Sequence, residues 1–259
     1  MRLMLLLPLT LMMEACASFV GKINVFPVQY DAQLGAEVAR NIDSTNAAIL
    51  MDSAQNAELY AYLYGIRDSI LKTGQLEHAQ DFTWRLRILN DSTLNAFCTP
   101  GGYIYFYTGL MRYLESEDQL AGVMAHEMAH ADKRHSTDAL TRQFGTDILI
   151  SLVLGGAQPS MLVQIANGLT NLSYGRSAET ESDISSVDWL YKTAYNPVGA
   201  AGFFQKMLEN GGQEPPQFLS THPNSDNRVE AMNEHWKSLG GKTGATFEER
   251  YQQKLKLIP

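Results

Sequence analysis

Apolar residues recur every three or four positions along much of the chain, which predicts a mostly helical protein. We predict helices over residues 31–52 and 56–72, and the second places Leu59, Leu63, Ile66 and Ile70 on one face. Gly74 ends that helix. Another helix is predicted to begin at Thr108, and Ser116 is a good N-cap for the helix that follows it.

The apolar pattern changes to alternation between these helices. Phe82, Trp84, Leu86 and Ile88 alternate with polar residues, which predicts a half-buried strand. Two shorter strands, over residues 95–98 and 103–107, flank a turn at Pro100-Gly101-Gly102. The sheet therefore precedes the helix that Ser116 begins, and we predict an α+β fold that is mostly helical.

Two apolar segments in the middle of the chain have two possible interpretations. Residues 148–154 and 161–169 are separated by Gly155-Gly156 and Pro159. Each segment is too short to cross a bilayer as a helix. We interpret them as two core helices packed behind the functional site. The alternative is a hydrophobic flap that touches substrate or membrane, and periodicity does not separate the two.

The beginning of the chain has the pattern of an export signal. Met1-Arg2 precedes the apolar run Leu3–Met13, so we assign residues 1–15 to a signal peptide. Cys16 follows an imperfect lipobox, and we predict that it carries a lipid anchor to a membrane; the alternative is a plain secreted protein. Residues 16–30 are then a linker, and 31–259 form one domain. Cys98 has no predicted partner, which excludes a disulfide framework.

The charge balance excludes two classes of partner. The formal net charge is −8 at pH 7, and the sequence has no basic run or stripe. We therefore expect no nucleic acid to bind. Electrostatic docking on anionic lipid is excluded for the same reason.

The segment His126-Glu127-Met128-Ala129-His130 fits the pattern HExxH, which has the spacing of a metal site on a helix. Residues four apart differ by about 40° around the helix axis, so both imidazoles can bind one ion. Glu127 lies to the side, where it can take a proton from a water beside the metal. The alternative is two histidines on an ordinary polar surface. HExxH is the pattern of zinc peptidases, and a zinc site of this kind also needs a third protein ligand.

Glu179 and Asp183 are the downstream candidates for that ligand and its support. They lie four residues apart on a predicted helix, so one face offers Glu179 to the metal and Asp183 to the outer nitrogen of a ligating histidine. Glu181 points to a different face. The alternative is the acidic first turn of a solvated helix.

These motifs together resemble the gluzincin metallopeptidases of the HtpX/BepA/LoiP type, peptidase family M48. HExxH followed by Glu-x-x-x-Asp is that pattern. The stretch Asn95-Ala96-Phe97-Cys98-Thr99-Pro100-Gly101-Gly102 is similar to a family segment, as is Thr221-His222-Pro223 followed by Arg228. The resemblance covers residues from about 31 to about 236.

The resemblance implies a zinc endopeptidase of the bacterial cell envelope that degrades unfolded or misassembled proteins. One zinc ion would be held by His126, His130 and Glu179, with Glu127 as the base. His222 would lie over the zinc, where it either stabilises the oxyanion or closes the resting site. Arg228 would orient the substrate or the His222 loop. We expect an extended substrate to add to the edge at Asn95, Ala96 and Phe97.

The competing interpretation is a metal-containing lipoprotein that binds such clients without cutting them. The presence of Glu127 argues against it, because a binding protein needs no base. We expect the remaining histidines, His78, His135 and His235, to lie at the surface.

Overall fold

The computed structural model describes residues 26–156, 158–209, 217–223 and 227–259. Within these ranges the chain is a mostly helical α+β domain, as predicted. Its helices are α1 (Asp31–Thr45), α2 (Ala57–Leu71), α3 (Thr108–Tyr113), α4 (Glu117–Asp132), α5 (His135–Phe144), α6 (Thr146–Val153), α7 (Pro159–Thr170), α8 (Arg176–Tyr191), α9 (Gly199–Glu209), α10 (Gln217–Thr221), α11 (Arg228–Ser238) and α12 (Glu248–Leu255). Short 3-10 helices occupy Val28–Tyr30 and Pro100–Gly102.

The described strands form one small sheet in the order β1-β3-β2, from β1 (Arg85–Leu89), β2 (Ala96–Thr99) and β3 (Tyr103–Tyr107). β1 is parallel to β3, and β2 is antiparallel to it with Ala96 opposite Phe106. Side chains alternate between two faces. Cys98 and Ile104 join the core around α2 and α4, whereas Phe97 and Tyr105 join a second apolar cluster with α1.

Two predicted boundaries were wrong. The first strand begins at Arg85 and not at Phe82, because Trp84 has a positive φ of 46° that breaks the extended backbone. The first helix ends at Thr45, well before residue 52. The Asn46 side chain donates to the carbonyl of Ile42, and the chain then turns so that Met51 N–H bonds the carbonyl of Ile88.

Helix α4, which carries HExxH, lies in the centre of the main core. Fifteen of its sixteen residues are buried, and α8 and α9 pack directly against it. The approach of α9 is close, since a Cβ added at Gly122 would lie 2.3 Å from the backbone nitrogen of Ala200. Such packing fixes the rotation of α4 and therefore the direction of its histidines.

The first turn of α4 is held by the C-terminal segment. The carbonyl of Thr246 accepts the backbone N–H groups of Glu117 and Asp118, which a helix start leaves unpaired. Arg250 also forms an ion pair with Glu117. Ser116 is the N-cap residue, as predicted, but its hydroxyl bonds the Asp118 carboxylate and not a backbone N–H.

The second apolar cluster joins α1 to α6 and α7 through Leu149, Leu152, Ile165 and Leu169. The two middle segments are therefore helices that pack on α1, and their outer faces remain exposed. Phe26, within the stretch assigned to the linker, is fully buried in the same cluster.

The predicted signal peptide and Cys16 lie outside the described residues, so those assignments stay predictions. Among the helices that the structure describes, none combines the length and apolar character needed to cross a membrane.

Candidate metal centre

The two histidines of the HExxH motif point to one place in the core. One turn of α4 separates His126 from His130, so their Nε2 atoms lie 3.0 Å apart. Both side chains are fully buried. Two imidazole nitrogens this close, inside the protein, have the arrangement of ligands to one ion.

Helix α8 brings Glu179 to the same point. Its Oε1 lies 3.4 Å from His130 Nε2, and its Oε2 lies 3.5 Å from His126 Nε2. Ligand atoms held tetrahedrally at about 2.0–2.1 Å from one ion are about 3.3 Å apart. The observed separations fit that geometry.

His222, directly after α10, completes the set. Its Nδ1 is 3.3 Å from His126 Nε2 and 3.1 Å from Glu179 Oε1. The ligand atoms of all four residues lie within 4.8 Å of one another. Three nitrogens and one carboxylate oxygen are therefore close enough to one another to hold one metal ion.

Glu127 lies beside these four residues and contributes no atom to the possible ligand set. Its Oε1 is 3.3 Å from His222 Nε2, at an angle too poor for a hydrogen bond. No group among the described residues donates a hydrogen bond to either of its oxygens. Burial raises the pKa of this carboxyl. A buried carboxylate without partners is costly, and a water or a substrate would supply the missing donor.

The carboxylate of Asp183 supports His126 from the outer side. Asp183 Oδ1 lies 3.0 Å from His126 Nδ1, although this contact is not well aligned as a hydrogen bond. Arg228 donates two 2.7 Å hydrogen bonds to the two oxygens of Asp183. Ligating histidines commonly have such an outer carboxylate.

Arg228 is buried within the site, with only 2% of its surface exposed. Besides Asp183, its Nη1 lies 2.9 Å from Glu179 Oε2 and donates to the carbonyl of His222. All these contacts are to the protein. One of them is to the His222 segment, and both predicted roles of Arg228, orienting that segment or the substrate, stay predictions.

The carboxylates set the charge of the metal-free site. Burial lowers the pKa of His126, but Asp183 and Glu179 outweigh it and raise that pKa to about 9. For His130, burial holds the pKa well below its ordinary value. Burial would raise the pKa of Glu179, but His222, His126 and His130 hold it below its usual range. Glu179 is therefore ionised, as a metal ligand must be.

The prediction for His135 was wrong, because this residue is buried and supports the site. Its Nδ1 is 3.0 Å from His130 Nδ1, and its Nε2 is 3.4 Å from Glu181 Oε2. Arg134, in the left-handed conformation, turns the chain back so that α5 begins against the ligand helix. The only sequence signal was a histidine five positions after His130, which is weak. His78 and His235 are partly exposed and bond Asp81 and Asp188.

Tyr174 covers the other side of the histidines, a role that sequence reasoning missed. Its ring stacks on His130 with centroids 3.8 Å apart, and its hydroxyl lies 2.8 Å from Ser136 Oγ. The free thiol of Cys98 is buried nearby, and burial beside Glu127 raises its pKa well above the ordinary value.

Of the predicted substrate residues, Ala96 and Phe97 begin β2, an edge strand of the sheet, and Asn95 directly precedes it. Phe97 directs its ring away from the metal centre, where it stacks on Tyr105. Asn95 is buried, and its side-chain oxygen accepts a bond from Thr221. Hydrogen-bonded and non-hydrogen-bonded residue pairs alternate along β2 and β3, and at Ala96 the N–H and C=O point away from β3, toward the edge of the sheet.

The site is closed in this structure. All four possible ligand residues and Glu127 have at most 1% of their surface exposed. Beside them, between α5 and α8, lies a cavity of about 740 Å³ lined by His135, Tyr174 and Glu181, among other residues. A polypeptide could reach Glu127 only after a covering segment moves.

Comparison with known proteins gives a consistent result. A family model described as Peptidase family M48 matches residues 62–235. The mitochondrial metalloendopeptidase OMA1 of Schizosaccharomyces pombe is 31% identical over 160 residues, which are 60% of this chain and 47% of the relative. OMA1 of Arabidopsis thaliana is 29% identical over 155 residues, covering 60% and 32%. The Beta-barrel assembly-enhancing protease of Escherichia coli (strain K12) is 29% identical over 156 residues, covering 55% and 32%. The matched region thus spans only a third to a half of these relatives.

Proposed function

Because the chain belongs to peptidase family M48, we propose that it is a zinc-dependent endopeptidase that hydrolyses peptide bonds in unfolded or misassembled proteins of the bacterial cell envelope. One observation carries this proposal. A set of four possible metal ligands lies directly beside Glu127, a buried carboxylate without hydrogen-bond partners among the described residues. A protein that only bound clients would have no use for that carboxylate.

The donor set favours zinc. Imidazole nitrogens and a carboxylate oxygen in tetrahedral array are typical zinc ligands, whereas calcium and magnesium prefer six or more oxygens. His126, His130 and Glu179 would hold the ion, and Asp183 would orient His126. When bound, zinc supplies a Lewis acid that polarises a carbonyl and makes a water more acidic at neutral pH.

Glu127 acts as the general base. Its unpaired oxygens accept the proton of the attacking water and later return it to the nitrogen of the leaving amine. Burial raises the pKa of this carboxyl, which brings it closer to the pH at which an acid–base group works best. Its closed surroundings also exclude bulk water.

His222 would give the enzyme a resting state. Its Nδ1 lies 3.3 Å from His126 Nε2 and 3.1 Å from Glu179 Oε1, so it would be a fourth ligand to a bound ion, and this side chain would have to move before a substrate carbonyl could enter. Once displaced, the imidazole can donate to the oxyanion that develops on the scissile carbonyl. Closing the resting site and stabilising the oxyanion are then successive roles of one residue.

The substrate would add to the outer edge of β2. The outward N–H and C=O of Ala96 can pair with an extended chain, a mode that recognises backbone more than side chains. Next to it, the carbonyl of Leu94 already accepts from Phe218 of α10. Moving α10 would therefore release the carbonyl of Leu94 and carry with it His222, which directly follows α10.

We further propose that the protein is exported and anchored to a membrane through lipid on Cys16. The support is the short apolar run before Cys16. Mass spectrometry of the mature N-terminus tests this, and an unmodified residue other than Cys16 there would refute the anchor alone.

Cleavage of casein by the purified protein tests the enzymatic proposal. We expect fragments to form, cleavage to stop with a chelator, and zinc to restore it. A Glu181→Gln variant serves as the matched control, because it makes a carboxylate-to-amide change near the site, contacts none of the four possible ligands, and keeps a side-chain oxygen that can accept from His135 Nε2. Metal-loaded protein that binds casein but never cuts it would favour the binding interpretation.

A further inference from the structure

The segment between α5 and α8 has an unusual composition. From Ile148 to Gly175 the chain has no Asp, Glu, Lys, Arg or His, although charged residues make up 19% of the sequence. This stretch contains α7 and the part of α6 that follows Asp147. Its polar residues are Ser, Thr, Asn and Gln, which are neutral at every physiological pH.

Exposed apolar side chains concentrate on the same helices. Among the described residues, five large hydrophobics are exposed, and three of them are Ile148 (38%), Leu154 (70%) and Val163 (42%). We call these three residues the apolar tip. Single exposed hydrophobics are common on protein surfaces, but three on one uncharged stretch of the chain indicate an interaction site.

The apolar tip is exposed, and the chain next to Leu154 is open to solvent. Leu154 follows the last residue of α6, and a Cβ added at the next residue, Gly155, would meet no described atom within 4 Å. Only the inner faces of α6 and α7 pack on the domain, through Leu149 and Ile165. An exposed neutral surface fits a fluid apolar phase better than it fits an extended polypeptide, which needs a groove or a free strand edge.

We propose that the apolar tip inserts into the interfacial region of a lipid bilayer. The helices are eight and twelve residues long, so they would lie in the interface and not cross it. With a net charge of −8, the protein would not be drawn by anionic headgroups, and attachment would rest on apolar burial alone.

The position of the proposed lipid anchor supports lipid as the partner of the apolar tip. Phe26, the first described residue, is buried in the cluster that also contains Leu149, Leu152 and Ile165. Cys16 is ten residues earlier and so at most about 35 Å away along the chain. This part of the inference rests on the proposed lipid anchor, which would hold the domain with the side that carries α6 and α7 close to the bilayer.

Insertion would also place the metal centre near the bilayer. α6 follows α5 at once, and α5 begins with His135 beside His130. At its other end the uncharged stretch reaches Tyr174, which stacks on His130. The peptidase site would then face chains close to the membrane.

Spin labels at single cysteines test the proposal on the full chain bound to phosphatidylcholine vesicles. The variants are Leu154→Cys and Val163→Cys, with Leu208→Cys as the matched control, because Leu208 is 48% exposed on α9, outside the uncharged stretch. Cys98 is buried and should stay unlabelled. We expect labels at 154 and 163 to collide with oxygen, which dissolves in lipid, several-fold more than with a nickel chelate in water. The label at 208 should show the reverse.

Three results would overturn the proposal. Labels at 154 and 163 could be as open to the nickel chelate as the label at 208. They could be immobilised without vesicles, which would indicate a second copy of the chain. They could be immobilised only on adding unfolded casein, which would indicate a polypeptide site. Mass spectrometry of the N-terminus and casein cleavage are read separately, so failure of the anchor or of the peptidase proposal is distinguishable.

Discussion

Replacing Glu127 by Gln separates catalysis from metal binding and from folding. The change keeps the size of the side chain and removes its basicity. Glu127 contributes no atom to the four-residue donor set, so zinc should remain bound. No described group donates to its oxygens, so the fold loses no hydrogen bond.

The size of the effect follows from the role of the side chain. General-base catalysis contributes about 10²–10⁴-fold to rate, which corresponds to about 2.7–5.5 kcal/mol of transition-state stabilisation. The loss should appear in kcat, because Glu127 acts on the attacking water and does not position the substrate. The free energy of unfolding should not fall, because the substitution removes a carboxylate whose burial is itself unfavourable.

Three measurements on matched samples check these expectations. They are the kinetics of casein cleavage, the metal content of the purified protein and its thermal denaturation, with Glu181→Gln as the control. Activity within tenfold of the unsubstituted protein at full metal content would refute Glu127 as the base. Loss of metal in Glu127→Gln would instead show that this residue belongs to the ligand set.

Further predictions concern the surroundings of the metal. Asp183→Ala should weaken zinc binding by about 10–100-fold. It should also lower the free energy of unfolding by about 3 kcal/mol, because Arg228 would lose its bidentate partner inside the core. Zinc titration and denaturant unfolding check the two effects, and unchanged values would contradict the contacts described. Chelation should lower the unfolding temperature, since an ion at 100 times its Kd stabilises the fold by about 2.7 kcal/mol; calorimetry with and without chelator measures this, and equal midpoints would count against a native metal site. Cys98 should resist thiol reagents until the chain unfolds, because burial raises its pKa; rapid labelling of the native protein would show that the site opens readily.

The sequence predicted those features that depend on local spacing. His126 and His130 follow from one helical turn, and Glu179 with Asp183 from another. These positions converge in the structure because α4 and α8 pack directly against each other. The periodicity of each helix determines which side chains share a face, and here the functional face is also the packing face.

Features that depend on contacts distant in sequence could not be predicted. His135 is buried because Arg134 turns the chain and Glu181, far along the sequence, lies on the facing helix. The position of Tyr174 over His130 depends on how its segment pairs with Thr221. The first strand begins late because the backbone turns at Trp84. The sequence carries no signal for this turn, since the alternating pattern around Trp84 fits a strand well.

The central claim is that His126, His130 and Glu179 hold one metal ion, with His222 in the fourth position of the resting site. X-ray absorption at the metal edge of the purified protein tests this directly, together with metal content. We expect one zinc ion per chain with four nitrogen or oxygen ligands at about 2.0–2.1 Å. We also expect that Glu179→Ala loses the ion while Glu181→Ala keeps it. Metal retained in Glu179→Ala but lost in Glu181→Ala, or a site with six oxygen ligands, would show that these residues do not form the metal site.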